Sequence, residues 1–138
     1  MDEVVLNIYG SQTVGENKEL IEFTTQGLME RKGQVVTLIY EDSGDDSEAV
    51  RTAISVDGDV VTMEKQGSLE TQFIFETSKT FSTVYSTPFG DLDVTLFPTL
   101  VEASMGETSG RIDLEYVLSI GDTQMVNRLN LLYEAKKH

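Results

Sequence analysis

The 138-residue chain contains no cysteine, which removes disulfides, thiolate metal sites and cysteine nucleophiles together. Histidine occurs once, as the terminal His138, in the part of a chain that is seldom held in place. Imidazole acid-base catalysis, Ser-His-Asp triads and histidine metal sites are thereby set aside. Cations are scarce: 10 Lys and Arg stand against 24 Asp and Glu, for a net charge of −14. Nucleic acid is not an expected partner, because phosphate binding needs clustered cations and this chain offers no more than adjacent pairs such as Lys136-Lys137. Long apolar runs are missing too. The stretch from Val35 to Tyr40 suits one buried strand and falls far short of the roughly 20 residues of a membrane helix. The opening Met1-Asp2-Glu3 lacks the basic start and apolar segment of a secretory signal, so no membrane association and a cytoplasmic location are expected. Nucleophile elbows, dinucleotide and phosphate loops and S-x-x-K pairs are absent as well. The expectation is a protein that is not an enzyme and carries no cofactor and no metal.

What is present is a two-residue rhythm. Val4, Leu6 and Ile8 alternate with Val5, Asn7 and Tyr9, which predicts a first strand buried on much of both faces. Gly10 and Gly15 are expected to bracket the turn after it. Ile21, Phe23 and Thr25 share a face opposite Leu20, Glu22, Thr24 and Gln26, and Gly27 marks a bend or bulge before Leu28 and Met29. Lys32-Gly33 and Asp57-Gly58 read as tight hairpin tips. They flank the alternations Val36, Leu38, Tyr40 and Val50, Thr52, Ile54, Val56. The polar stretch Glu41 to Glu48, EDSGDDSE, reads as a solvated loop, and Gln66-Gly67 as another turn. Thr71, Phe73 and Phe75, then Phe81, Thr83 and Tyr85, continue the pattern.

Thr87-Pro88-Phe89-Gly90 is a turn by mechanism, since proline presets one dihedral and glycine accepts a positive one. Leu92, Val94 and Leu96 follow, and Pro98 predicts a break or an edge. Ile112, Leu114, Tyr116, Leu118 and Ile120 form the cleanest alternation, and Gly121-Asp122 turns the chain toward Met125, Asn127, Leu129, Leu131 and Tyr133. Val126, Leu129 and Tyr133 would also suit one face of a helix. The whole chain, 1–138, reads as one all-β domain of eight to ten short antiparallel strands. Such a meander closes most simply into an up-and-down barrel, which removes exposed edges. A barrel of this size is either filled by its own side chains or holds one small ligand.

Tyr85-Ser86-Thr87-Pro88-Phe89-Gly90, then Gly110-Arg111-Ile112-Asp113-Leu114-Glu115-Tyr116 and the leucine-rich run to Tyr133-Glu134, resemble the YwiB-like family of small bacterial proteins, a domain of unknown function (DUF1934). Ile21-Glu22-Phe23 and Gly27 fit the same pattern. The resemblance spans nearly the full chain and implies a calycin-like barrel, akin in shape to lipocalins and fatty-acid-binding proteins. It implies no activity and transfers no catalytic residue.

Carboxylates are abundant, and the pairs Asp91/Asp93 and Asp113/Glu115 read as the solvent face of amphipathic strands. Asp42, Asp45, Asp46 and Glu48 do not match the spacing of a calcium loop. Tyr85, Arg111, Tyr116, Arg128 and Tyr133 form the candidate ligand-binding set. An inward arginine beside tyrosine hydroxyls would suit a small apolar ligand carrying a carboxylate. In the alternative, the tyrosines plug the barrel and the arginines balance surface acids. The two functional expectations are a binding module for a small apolar ligand in the barrel and an interaction domain that meets a basic protein through its acidic surface.

Overall fold

The protein is described by a computed structural model covering residues 2–42, 50–66 and 71–136. Ten strands alternate with short connections: β1 (Asp2–Val14), β2 (Asn17–Lys32), β3 (Val35–Asp42), β4 (Val50–Asp57), β5 (Val60–Gln66), β6 (Thr71–Glu76), β7 (Phe81–Thr87), β8 (Gly90–Met105), β9 (Ser109–Ile120) and β10 (Thr123–Ala135). All belong to one antiparallel sheet in the order β6-β5-β4-β3-β2-β1-β10-β9-β8-β7. The first and last strands pair along ten residues, Val4 opposite Ala135 through Thr13 opposite Val126. This long-range ladder wraps the meander into a nearly closed up-and-down barrel. Among the described residues no helix is long and apolar enough to cross a membrane.

The alternation decides which side chains go inside. Val4, Leu6 and Ile8, then Val36, Leu38 and Tyr40, then Ile54 and Val56 with Ile112, Leu114 and Leu131, are all buried and join one core. Every second side chain of a strand points to the same face, so a single parity fills the interior from wall to wall. Val5 and Asn7 are half-buried and Tyr9 is exposed. The outer face of β1 is therefore less covered than the sequence suggested, because in a single-layer barrel nothing packs outside it.

Two further local expectations are revised, at Gly10 and Gly27. Gly10 is not a turn residue; β1 runs on through it, paired with both Leu129 and Ile21, and the hairpin turns at Gly15. Gly27 carries no bulge, since both of its ladders keep register. Its role is close approach: a Cβ there would come 2.5 Å from the Ile39 carbonyl and 2.7 Å from a Leu6 methyl. The run from Met125 to Tyr133 is the expected strand, and the rival helical pattern is not adopted, because its odd residues complete the core between β1 and β9. Pro98 lies at an edge, as expected, since the β7 ladder has stopped at Leu96 and β8 pairs there with β9 alone; the strand does not break but bulges between Pro98 and Leu100. That bulge moves the inward positions from Val94 and Leu96 to Val101 and Met105. The turns expected at Pro88-Phe89 and Gly121-Asp122 appear, and those expected at Lys32-Gly33 and Asp57-Gly58 fall one residue later, at Gly33-Gln34 and Gly58-Asp59, because Lys32 pairs with Val35 and Asp57 with Val60. Glu41 and Asp42 extend β3 and Gln66 ends β5, while Gly67 and the rest of the stretch to Glu48 fall outside the described residues.

The barrel has one filled end. Tyr133 is buried there, and its hydroxyl donates to the Gly106 carbonyl at 2.6 Å. Arg31 Nη2 donates to the same carbonyl at 3.4 Å. The 106–108 turn is bound to the end of β10 by Ala135 N donating to Thr108 O at 2.7 Å, and Lys136 N donates to Glu3 O at 2.9 Å. Gly110 lies opposite Tyr133, whose ring edge would stand 2.5 Å from a Cβ, with the Ser104 carbonyl also in contact. The missing side chain is the space the tyrosine ring fills.

Candidate functional site at the open end of the barrel

Toward the opposite end the inward positions turn polar. Gln12 of β1, Asn127 of β10 and Tyr116 of β9 are directly opposed neighbours on one wall. Tyr40, Thr52 and Lys65 form a matching row across β3, β4 and β5. Between the walls lies a cavity of about 240 Å3, with Ile8, Phe23, Met63 and Leu129 as its apolar surface. Rings make its base stiff. Tyr116 meets Phe75 edge-on with centroids 4.9 Å apart, and Phe23 tilts against Tyr40 at 6.3 Å. Phe75 itself is fully buried.

The polar groups of the rim are partly engaged with the protein. Asn127 Nδ2 donates to the Met125 carbonyl at 3.4 Å, and the Gln12 amide donates to the Met125 sulfur. Among the described residues no buried side-chain nitrogen or oxygen lacks a partner. Among the described residues hydroxyls, amides, the Lys65 ammonium and, at the margin, Arg128 line the cavity, and no carboxylate does.

The barrel is not completely closed. β6 pairs only with β5, and β7 only with β8, although the two strands are consecutive. A four-residue link, 77–80, joins them, with Ser78 in the left-handed region at φ 65°. A groove of about 360 Å3 opens along this seam between Thr71 and Gln72 on one side and Thr83 and Val84 on the other. Lys65 lines both the groove and the interior cavity. The mouth therefore opens sideways as well as upward.

The structure separates the five residues predicted from the sequence. Tyr116 lines the cavity. Tyr133 does not; it is the seal of the filled end, where burial raises its pKa and the Arg31 charge partly offsets the rise. Arg111 and Arg128 are corrected to the outer face. Arg111 Nε lies 2.9 Å from Asp113, and Arg128 Nε 3.1 Å from Glu115, with side chains 59% and 67% exposed. Arg128 borders the cavity margin, but its guanidinium is held outside by Glu115. Tyr85 pairs with Leu92 in the β7–β8 ladder; its side chain falls outside the described residues. Asp113 and Glu115 are the partners of these arginines, and Asp91 and Asp93 are exposed. Among the described residues no cluster of acidic or histidine side chains is arranged to hold a metal ion.

Thr52, Lys65, Gln12 and Asn127 were not singled out from the sequence. A signal for them exists: each carries the parity of the buried set in its strand, where an apolar residue would be expected.

Comparison with known proteins agrees with this architecture. Residues 6–131 match the family model described as Domain of unknown function (DUF1934). The uncharacterized beta-barrel protein YwiB of Bacillus subtilis (strain 168) is 28% identical over 123 residues, which are 88% of this chain and 86% of the relative. The crystal structure of ywiB protein from Bacillus subtilis superposes with a TM-score of 0.86 at 24% identity, covering 99% of this chain and 93% of that one. That likeness carries the fold.

Proposed function

The chain belongs to the DUF1934 family, and we propose that within this barrel scaffold it acts as a non-enzymatic binding module for a small, largely apolar ligand. The observation that carries the reading is the cavity of about 240 Å3 at the end of the barrel opposite the Tyr133 seal. An apolar base with a few convergent polar groups is the usual make-up of a small-molecule site. Phe23, Met63 and Leu129 supply the apolar surface, and Tyr116, Thr52 and Asn127 the polar contacts. The volume lies below the roughly 300–1,000 Å3 of drug-sized pockets, which suits a compact molecule or one short chain. Among the described residues the lining holds no carboxylate or imidazole group, which supports binding over catalysis. The test is native mass spectrometry of protein purified from its own source, set against the same sample after denaturing extraction. A reproducible small-molecule adduct lost on extraction is expected, and an apo mass under the gentlest conditions counts against the reading.

A second reading rests on charge. A net charge of −14 favours a basic protein partner through long-range attraction. Binding to a lysine-rich peptide that weakens steeply with salt supports it, and binding indifferent to salt removes it.

A further inference from the structure

The position of Lys65 narrows the ligand class. This inference rests on the binding reading above. Lys65 carries the inward parity of β5, directly opposite Thr52 on β4 and Thr71 on β6. It lines both the interior cavity and the groove of the β6–β7 seam, so it stands where the barrel interior meets solvent from the side. Lys32, Lys79, Arg111, Arg128 and Lys136 each pair with a carboxylate, whereas among the described residues Lys18, Arg31, Arg51 and Lys65 form no ion pair, and of these four Lys65 alone lines the interior cavity. Among the described residues no carboxylate lines the interior cavity, and the Glu64 carboxylate of the adjoining groove accepts a hydrogen bond from Gln72 Nε2 at 3.0 Å.

We infer that the ligand is a compact amphiphile with a carboxylate head, anchored by Lys65 at the seam, with its apolar body on Phe23, Met63 and Leu129. The arrangement fits both ends of such a molecule. A carboxylate at the seam keeps part of its hydration while accepting a charge-assisted hydrogen bond from the ammonium, and the Thr52 and Thr71 hydroxyls flank that position. The tail removes apolar surface from water against rings that are already in place. A cationic amphiphile would meet the ammonium at the same point and be repelled. A neutral one would gain the tail contacts alone.

The test uses the full chain and three probes with a common tail: octanoate, 1-octanol and octylamine. Each is titrated at low salt while amide signals of Phe23 and Tyr116 are followed by NMR, for wild type, Lys65→Met and Lys65→Glu. Octanoate is expected to bind wild type about tenfold more tightly than octanol, the scale of one charge-assisted hydrogen bond. The preference should vanish in Lys65→Met and turn toward octylamine in Lys65→Glu. Lys65 is exposed, so unchanged circular dichroism is expected for both variants. Equal binding of octanol and octanoate by wild type, or a preference that survives Lys65→Met, overturns the carboxylate assignment and leaves the binding site standing. No response to any probe through the millimolar range overturns both.

Discussion

The two ends of the barrel are built from the same strands and the same alternation, yet one is solid and the other is open. At the filled end the inward positions are aliphatic, a tyrosine ring occupies the place of the Gly110 side chain, and three hydrogen bonds bind the 106–108 turn and the chain end across strands. At the open end inward positions of the same parity carry Gln12, Thr52, Lys65 and Asn127 around an unfilled volume. Parity selects what faces inward; residue type then decides whether the inside is core or site. Stability and binding should therefore separate along the barrel axis, and each substitution below tests that separation.

The largest effect belongs to the filled end. Leu6 is fully buried and touches the space kept clear by Gly27, so Leu6→Ala is expected to cost about 2–5 kcal/mol through lost burial plus a cavity. A smaller loss, about 1–3 kcal/mol, is expected for Gly110→Ala, because the new methyl meets the Tyr133 ring and the Ser104 carbonyl. Denaturant midpoints measure both. A midpoint that hardly moves in either variant would mean that the filled end is not where the stability resides.

Phe23→Ala should then behave differently. Phe23 is only half-buried and faces the cavity, so about 1–2 kcal/mol is expected, below the figure for a fully enclosed aromatic residue. Its main consequence is weaker binding of the octyl probes, because one wall of the apolar surface is gone. If Phe23→Ala destabilises as strongly as Leu6→Ala while binding is kept, the division between the ends fails.

Much of this division was legible in the sequence, but not all. The strand count, most of the hairpins and the buried set follow from a period of two, which the backbone enforces residue by residue. Even the outward direction of Arg111 and Arg128 was present, since each has the parity opposite to its neighbours Ile112 and Leu129. Parity outranks chemistry here: an arginine attractive as a ligand anchor still follows its strand to the outside. Thr52 and Asn127 read as interruptions in apolar rows, because a one-dimensional pattern does not say at which height along a tilted barrel two rows meet. The open seam was hidden for a related reason. Consecutive strands usually pair, and nothing local to 77–80 except the backbone at Ser78 marks β6 and β7 as an exception.

The smallest effect at neutral pH, and the sharpest probe of the filled end, is Tyr133→Phe. The ring and its packing remain, and only the hydroxyl bonded to Gly106 is lost, so about 1 kcal/mol is expected. Gly106 still accepts from Arg31, which limits the loss. Alkaline pH should separate this variant from wild type. Burial raises the Tyr133 pKa above the ordinary tyrosine value, with Arg31 lowering it in part, so the folded state holds the phenolic proton more tightly than the unfolded chain. The stability tied to that proton is complete below about pH 10, the unfolded value, and is lost as pH rises through the higher folded value. Wild type should thus lose stability more steeply than Tyr133→Phe above about pH 10, and the gap between them should narrow. Parallel slopes in denaturant titrations across that range would mean that the hydroxyl is not sealed in the folded protein. A site of that kind at the filled end would erase the contrast with the mouth, where Lys65 stands open to solvent.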